Sequence, residues 1–488
     1  MYLGIDLGTS EVKVLLIDKE QNIVGSAHAP LTISRPQEQW SEQDPASWWL
    51  ATKNAVGQLA ERHPAELALL RGIGLSGQMH GAVLLDADGQ VLRPAILWND
   101  VRSGPQCAEL ERRVPEARAI TGNLIMPGFT APKLLWVAQH EPGIFARTAK
   151  VLLPKDYLRY LLTGETISDM SDAAGTMWLD VARRDWSDTM LTACGLERSH
   201  MPRLVEGSAP GGWLKPEWQR AWGIAQPVLL AGGAGDNAAS AIGMGVIHEG
   251  EGFISLGTSG VFFAANAAYR PNPQQGLHTF CHALPGQWHQ MGVMLSAASC
   301  LRWAVELTHA GAEAQLLAEI EQAGRAACLV APLFLPYLSG ERTPHNNPDA
   351  SGAWFGLRHD TSRALLGYSV LEGVAFGLRD SYLALQAAGS AVPVAALVGG
   401  GSKSRYWALL LASVLNTPLS LHSSGNLGAA LGAARLGLLA VDPEADVAAV
   451  CAAPPVLEMI EPQADWHAAL LPRFERYQAL YRQLKPLF

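Results

Sequence analysis

At 488 residues the chain is too long for one compact core, so two or three domains are expected. Hydrophobic residues make up 49% and charged residues 17%, an ordinary globular composition. The formal net charge is −9 and no Lys/Arg block stands out, which speaks against a nucleic-acid or anionic-membrane partner.

The six cysteines (Cys107, Cys194, Cys281, Cys300, Cys328, Cys451) are scattered without a CxxC pair, so reduced thiols in a reducing compartment are expected. Met1 runs directly into a strand-like segment, with no basic and apolar leader for export. No apolar stretch reaches the length of a membrane span; residues 329–338 are short and carry Pro332 and Pro336. The expectation is a soluble, cytoplasmic protein.

Short β-rich segments alternate with amphipathic helical ones, which predicts an α/β layered architecture. Residues 3–5 form a first strand that turns at Gly8-Thr9-Ser10, resumes over 12–17, turns over 18–22 and continues at Ile23-Val24, an antiparallel meander. Asp44-Pro45 reads as a helix cap followed by proline at the first helical position, opening a helix that carries Trp48, Trp49 and Val56. Ser76-Gly77-Gln78-Met79-His80-Gly81 sits between apolar segments and offers an amide, a thioether and an imidazole, a plausible polyol-binding rim. Taken alone, His80 reads as a hydrogen-bonded structural histidine. Further on, Gly232-Gly233-Ala234-Gly235 leads to Asp236, and Asn237-Ala238-Ala239-Ser240 opens a small-residue helix. A carboxylate there can accept an alcohol proton during phosphoryl transfer while the helix dipole compensates phosphoryl charge. A plain N-cap aspartate is the alternative.

Two self-similarities organise the chain. Asp6-Leu7-Gly8-Thr9-Ser10-Glu11-Val12 recurs as Ser255-Leu256-Gly257-Thr258-Ser259-Gly260-Val261, and residues 229–233 resemble residues 397–401. Two domains of related fold follow, with a boundary near 246–252: residues 1–247, residues 248–445, and a tail over 446–488. Each Gly-Thr-Ser turn offers backbone N–H groups and hydroxyls to phosphate oxygens, and two copies suggest one polyphosphate gripped from both sides. The copies differ at Asp6, where the second has Ser255. A carboxylate beside a phosphate nest repels the ligand unless Mg²⁺ intervenes, so Asp6 reads as a metal-side residue acting through waters. Its alternative is a strand-end aspartate capping a turn. Gly399-Gly400-Gly401-Ser402 carries no carboxylate and reads as the adenosine side of the cleft. His278, Cys281, His282 and His289 invite a zinc reading, but strand alternation sends Cys281 and His282 to opposite faces, and no metal is expected there. From Pro472 onward, Phe474, Tyr477, Tyr481 and Leu484 share one helical face, a docking helix.

The segments Gly4-Ile5-Asp6-Leu7-Gly8-Thr9-Ser10, Leu256-Gly257-Thr258-Ser259-Gly260 and Gly399-Gly400-Gly401 resemble the FGGY carbohydrate kinases, part of the sugar-kinase, actin and heat-shock ATPase superfamily. Gly128 through Val137 is similar to the family's first signature, and Gly352 through Glu372 to its second. The resemblance implies two ribonuclease H-like α/β domains of the actin/sugar-kinase type around an interdomain cleft, acting on ATP with Mg²⁺. It implies that Asp236 is the general base, that Met79, His80, Asp236 and Asn237 contact the sugar with Gln78 beside them, and that Asp6 and Asp236 hold Mg²⁺ through water. Gly8, Thr9, Ser10 and Lys13 would face the phosphates, and Gly257, Thr258, Ser259, Gly400, Gly401 and Ser402 the nucleotide. Four further segments, 40–45, 78–81, 168–176 and 337–345, point within the family to D-xylulose as acceptor, ahead of ribulose, glycerol or gluconate. Two positions depart from the pattern: Glu11 stands where a small residue is usual, and Leu365 where an acidic or amide residue is usual. The rival from another class is an actin-like ATPase with the same cleft and no small acceptor. Oligomeric state is left open, a homodimer included.

Overall fold

The computed structural model describes residues 1–423 and 428–488. Its framework is two seven-stranded sheets built on one plan. In the first, Tyr2–Leu7 pairs antiparallel with Glu11–Ile17, which pairs antiparallel with Ile23–Pro30; on its other side Tyr2–Leu7 runs parallel to Gly72–Gly77, then comes Leu229–Ala231. In the second, Glu251–Leu256 and Gly260–Asn266 form the hairpin, Trp288–Met294 and His278–Cys281 extend it, and Val394–Val398 and Leu419–His422 follow in parallel.

Alternation along Tyr2–Leu7 explains why a carboxylate ends up in the cleft. Leu3, Ile5 and Leu7 point into a core shared with Val12, Val14, Trp48 and Val56, so Gly4 and Asp6 take the opposite face. The helix Pro45–Arg62 seals that core; Asp44 accepts the N–H of Ala46 at 3.0 Å and Pro45 opens the first turn.

The plan corrects one reading of the repeats. Val394–Val398 lies next to the hairpin strand, as Gly72–Gly77 does in the first half. The loop after Gly77 is therefore the counterpart of Gly399–Gly401, and residues 229–233 are not, because Leu229–Ala231 lies one strand further out. In each half the second parallel strand leads to a helix, Asp236–Met244 in one and Gly428–Val441 in the other.

These two helices cross with their backbones nearly touching. A Cβ on Gly432 would lie 1.8 Å from the Ala239 carbonyl oxygen, and one on Gly243 would lie 2.0 Å from that of Gly428. Gly428–Val441 also lies on the first sheet, where a Cβ on Gly74 would meet the Ala433 oxygen at 1.7 Å. A helix drawn from residues assigned above to the second domain thus completes the first. The tail likewise is more than a docking helix, since Val456–Ile460 is the last strand of the second sheet. The helix itself, Ala464–Leu484, begins eight residues before Pro472 and presses Phe474, Tyr477 and Tyr481 into the second domain's core. No helix of the described residues is long and apolar enough to cross a membrane.

Because the obstacle at Gly74 is main chain, it cannot swing aside. Gly74→Ala is expected to destabilise the fold by about 1–3 kcal/mol or more, read as a lowered thermal midpoint; an unchanged midpoint would mean the two backbones have slack between them.

Candidate active site

Three cavities run in sequence along the cleft. The first, ≈ 260 Å³, has walls of Met126, Phe129, Phe280 and Met291, with His80, Asp236, Asn237, His278 and Arg342 among its polar groups. The second, ≈ 250 Å³, is bounded by Asp6, Lys13, Ser240 and Gly399. The third, ≈ 660 Å³, lies between Gly257-Thr258 and Gly400-Gly401. Asn237 and Ser255 line both the first and second cavities. An apolar chamber with a few convergent polar groups suits a small polar ligand, and the two that follow suit a phosphate chain and a larger body.

Asp236 lines the first cavity beside Asn237, which lines both the first and the second. Asp236 is the first residue of its helix, with Gly235 as the cap. Its Oδ1 accepts the Asn237 backbone N–H at 2.7 Å and the Asn237 side-chain amide at 2.9 Å. Among the described residues nothing donates to Oδ2, which is left for a ligand. Burial, and then the charge of Asp6, push its carboxyl up to about 7. Asp6 accepts the Ser76 hydroxyl at 2.9 Å and stands directly across the hairpin from Lys13. Burial raises its carboxyl despite the Ser76 bond and Lys13. A buried carboxylate whose proton affinity is raised by the charge of a second one is the environment a divalent cation relieves. No group of three or more His, Cys, Asp or Glu side chains among the described residues is placed to hold a metal. A cation here would take most of its ligands from water and phosphate, as Mg²⁺ does.

His80 reaches the first cavity with its backbone at φ 70°. Its Nδ1 pairs with the Gly175 carbonyl at 2.8 Å, and its ring packs edge-on against Phe129. Its own carbonyl accepts the buried Lys133 ammonium at 2.9 Å. Burial, then Lys133, hold the imidazole down at about 3, so it is neutral across physiological pH.

Gln78 departs from the expected rim. It is buried and lines none of the three cavities; its amide donates to Gln43 at 2.9 Å and accepts the Thr9 hydroxyl at 3.2 Å. Trp98 Nε1 donates to the same Thr9 oxygen at 3.0 Å. Gly8, Thr9 and Ser10 also lie outside the cavity linings, and Gln78 braces their turn. Lys13 lines the second cavity, and Gly257, Thr258, Gly400 and Gly401 line the third. Ser259 turns instead toward the first, and the Ser402 hydroxyl donates to the Gly399 carbonyl at 2.7 Å. Gly399 takes φ 91° and presses against Leu256, which brings the two glycine turns together. Glu11 lies 3.4 Å from Lys13, two residues on along the same strand face, both half-exposed. It therefore shares the face that carries Lys13 and offsets part of its charge.

Behind the Asp236 loop lies a buried charge cluster that sequence reasoning missed. Lys155 contacts Asp156 at 2.6 Å, Asp169 at 2.7 Å and Asp172 at 3.2 Å, all of them inaccessible. Burial works against the ammonium, but the three carboxylates outweigh it and raise its proton affinity. The other oxygen of Asp169 accepts the Ser171 hydroxyl at 2.5 Å, and Ser171 Oγ in turn accepts the Gly235 N–H at 3.1 Å. Arg159 donates to the carbonyls of Ala231 and Gly232, each at 2.5 Å. The loop that presents Asp236 is thus held from behind at three backbone groups. Arg342 and His278 in the first cavity were also missed as ligand groups. The signal was one arginine in the apolar run after residue 332, and a histidine two residues from Phe280 on one strand face.

Comparison with known proteins gives consistent matches. Residues 1–243 match the N-terminal domain model of the FGGY family of carbohydrate kinases, and residues 252–441 match its C-terminal domain model. The chain is 52% identical to the xylulose kinase of Escherichia coli (strain K12) over 487 residues, 100% of both proteins. It is similar to a crystal structure described as a xyloylose kinase from Brucella ovis, with TM-score 0.97 and 54% identity over 100% of both chains. The xylulose kinase structure from Rhodospirillum rubrum matches with TM-score 0.91 and 30% identity, over 100% of this chain and 99% of that one.

Proposed function

This chain belongs to the FGGY family of carbohydrate kinases, and on that premise we propose that it transfers the terminal phosphoryl group of ATP to xylulose. One observation carries the reading most directly: Asp236 lines a small, mostly apolar chamber, next to Asn237, which also lines the polar cavity that follows, and a third cavity lies between two facing glycine turns.

In this reading xylulose occupies the first cavity with its terminal hydroxyl at Asp236 Oδ2, and Met79, His80 and Asn237 bound it. The hydroxyl oxygen attacks the terminal phosphorus, the bond from that phosphorus to the bridging oxygen of ADP breaks, and the hydroxyl proton passes to Asp236. Asn237 holds Oδ1 so that Oδ2 keeps its aim, and the amino end of the helix Asp236–Met244 favours the negative charge gathering beside it. Lys13 faces the phosphates across from Asp6. Asp6 and Asp236 would hold Mg²⁺ through water, and the ion would neutralise charge on the phosphates. The two glycine turns, at Gly257-Thr258 and Gly400-Gly401, would take the nucleotide. Six free thiols suit the reducing interior of a cell, and we assign the activity to the cytoplasm.

A coupled assay of ADP release with D-xylulose, D-ribulose, glycerol, gluconate or no sugar tests the reading. Release should be fastest with D-xylulose and slight without sugar; equal release with and without any acceptor would point instead to an actin-like ATPase. Replacing His80 gives a second check. Asparagine tolerates the left-handed backbone there, so His80→Asn should raise the xylulose KM by about tenfold, one lost hydrogen bond, while kcat stays within about twofold. Unaltered sugar kinetics would remove His80 from the site.

A further inference from the structure

The geometry points to Arg342 as the group that reads the carbonyl of the sugar, setting a preference for a 2-ketose over the polyol made by reducing it. This rests on the reading that the first cavity holds a ketose.

Arg342 lines that cavity, and its guanidinium is left almost wholly unused by the protein. The one hydrogen bond its side chain makes among the described residues runs from Nη1 to His278 Nε2, at 3.1 Å. No carboxylate of the described residues lies in contact with it. The adjacent Glu341 forms no ion pair with the guanidinium: its Oε1 accepts the backbone N–H groups of Arg342 at 2.7 Å and Leu295 at 3.0 Å, and its buried Oε2 meets no donor among the described residues. Burial also pushes the Glu341 carboxyl up to about 8, so near neutrality it is largely uncharged. A guanidinium stays protonated even when buried and has donors only. The remaining N–H groups have no acceptor among the described residues and are free to meet one on a ligand in the cavity.

The placement is rigid. Thr343 donates its N–H to the Val293 carbonyl at 3.0 Å and accepts the Val293 N–H on its hydroxyl at 3.0 Å, which pins the Arg342 segment to the strand Trp288–Met294. His278 is neutral, held far below its ordinary range by burial and then by Arg342 itself, so its Nε2 can accept from the guanidinium. It lies on the outermost strand of the second sheet, three strands from Ser255 at the phosphoryl junction. That is roughly 14 Å at the backbone, shortened by inward side chains. The pair therefore faces the end of the sugar remote from Asp236, where a ketose phosphorylated at its terminal hydroxyl carries its carbonyl. A carbonyl oxygen has no proton and accepts from two directions. A hydroxyl in its place must also dispose of its own proton beside a group that only donates.

The experiment compares kcat/KM for D-xylulose with that for xylitol and D-arabinitol, its two reduction products, in wild type, Arg342→Met and Arg342→Lys. The expected result is that Arg342→Met loses about 10²-fold on xylulose, as for a charge-assisted hydrogen bond, and under about fivefold on the polyols, so that the preference collapses. Arg342→Lys should restore part of it. Equal losses on ketose and polyols, with the preference intact, would overturn the assignment. Should Arg342→Met fail to fold, Arg342→Lys decides alone, since an unaltered ratio there overturns it too. A wild-type enzyme that phosphorylates none of the three would sink the ketose reading and this proposal with it; a ketose-active enzyme whose variants keep the ratio sinks only the role of Arg342.

Discussion

Asp236→Asn will turn over xylulose at least about 10²-fold more slowly than wild type while binding ATP with affinity within about twofold. The amide is nearly isosteric and keeps an acceptor for the Asn237 N–H groups that hold Oδ1 at 2.7 and 2.9 Å. What it loses is the ability to take a proton, so the loss should fall on kcat. The pH dependence follows from the same residue. Its carboxyl, pushed up to about 7 by burial and by Asp6, serves as a base only when ionised. In wild type, kcat/KM should therefore be full above that pH and fall tenfold per unit below it, with the bend moving lower as bound cation offsets the charge of Asp6. The residual activity of Asp236→Asn should lack that bend. Wild-type turnover in the variant, or the same bend in both, would remove Asp236 as base.

Lys155→Met is expected to cost about 3–5 kcal/mol of stability, because it strands carboxylates that have no route to water. Asp156, Asp169 and Asp172 all contact the ammonium and none is accessible. Against a total of about 5–15 kcal/mol for a typical protein, the loss should show as a sharply lower thermal midpoint and poor soluble yield. A midpoint within a few degrees of wild type would mean that the cluster is held by protonated acids and not by the lysine charge. Conservative relief is also expected: Asp172→Asn in the Lys155→Met background should recover part of the midpoint, since Asp172 is already pushed well above its ordinary range by burial.

What could be read from the chain beforehand was what local chemistry decides. The Gly8 to Ser10 hairpin, the Asp44 cap and the Asp236 helix start each depend on residues within a turn of one another. The Gln78 misreading has a different origin. Its partners, Gln43 and Thr9, lie 35 and 69 residues away, and nothing in Gln-Met-His says which of the three faces a cavity. The same distance in sequence hid Lys155, Arg342 and the equivalence of Gly72–Gly77 with Val394–Val398. Strand order is a property of pairing, and the similar spelling of residues 229–233 and 397–401 concealed it. The tail helix begins earlier than expected because Pro472 lies within it; a proline does not compel a start when packing of Trp466 and Leu470 favours the preceding turns.

The seam where Asp236–Met244 meets Gly428–Val441 leaves no room for even a methyl group. Gly428–Val441 is in turn pressed onto Tyr2–Leu7 and Gly72–Gly77. A contact without slack passes position from one element to the next, as a wedge does between two beams. Asp236 is mounted at the end of one of these helices, so its carboxylate takes its station from the same frame that carries Asp6.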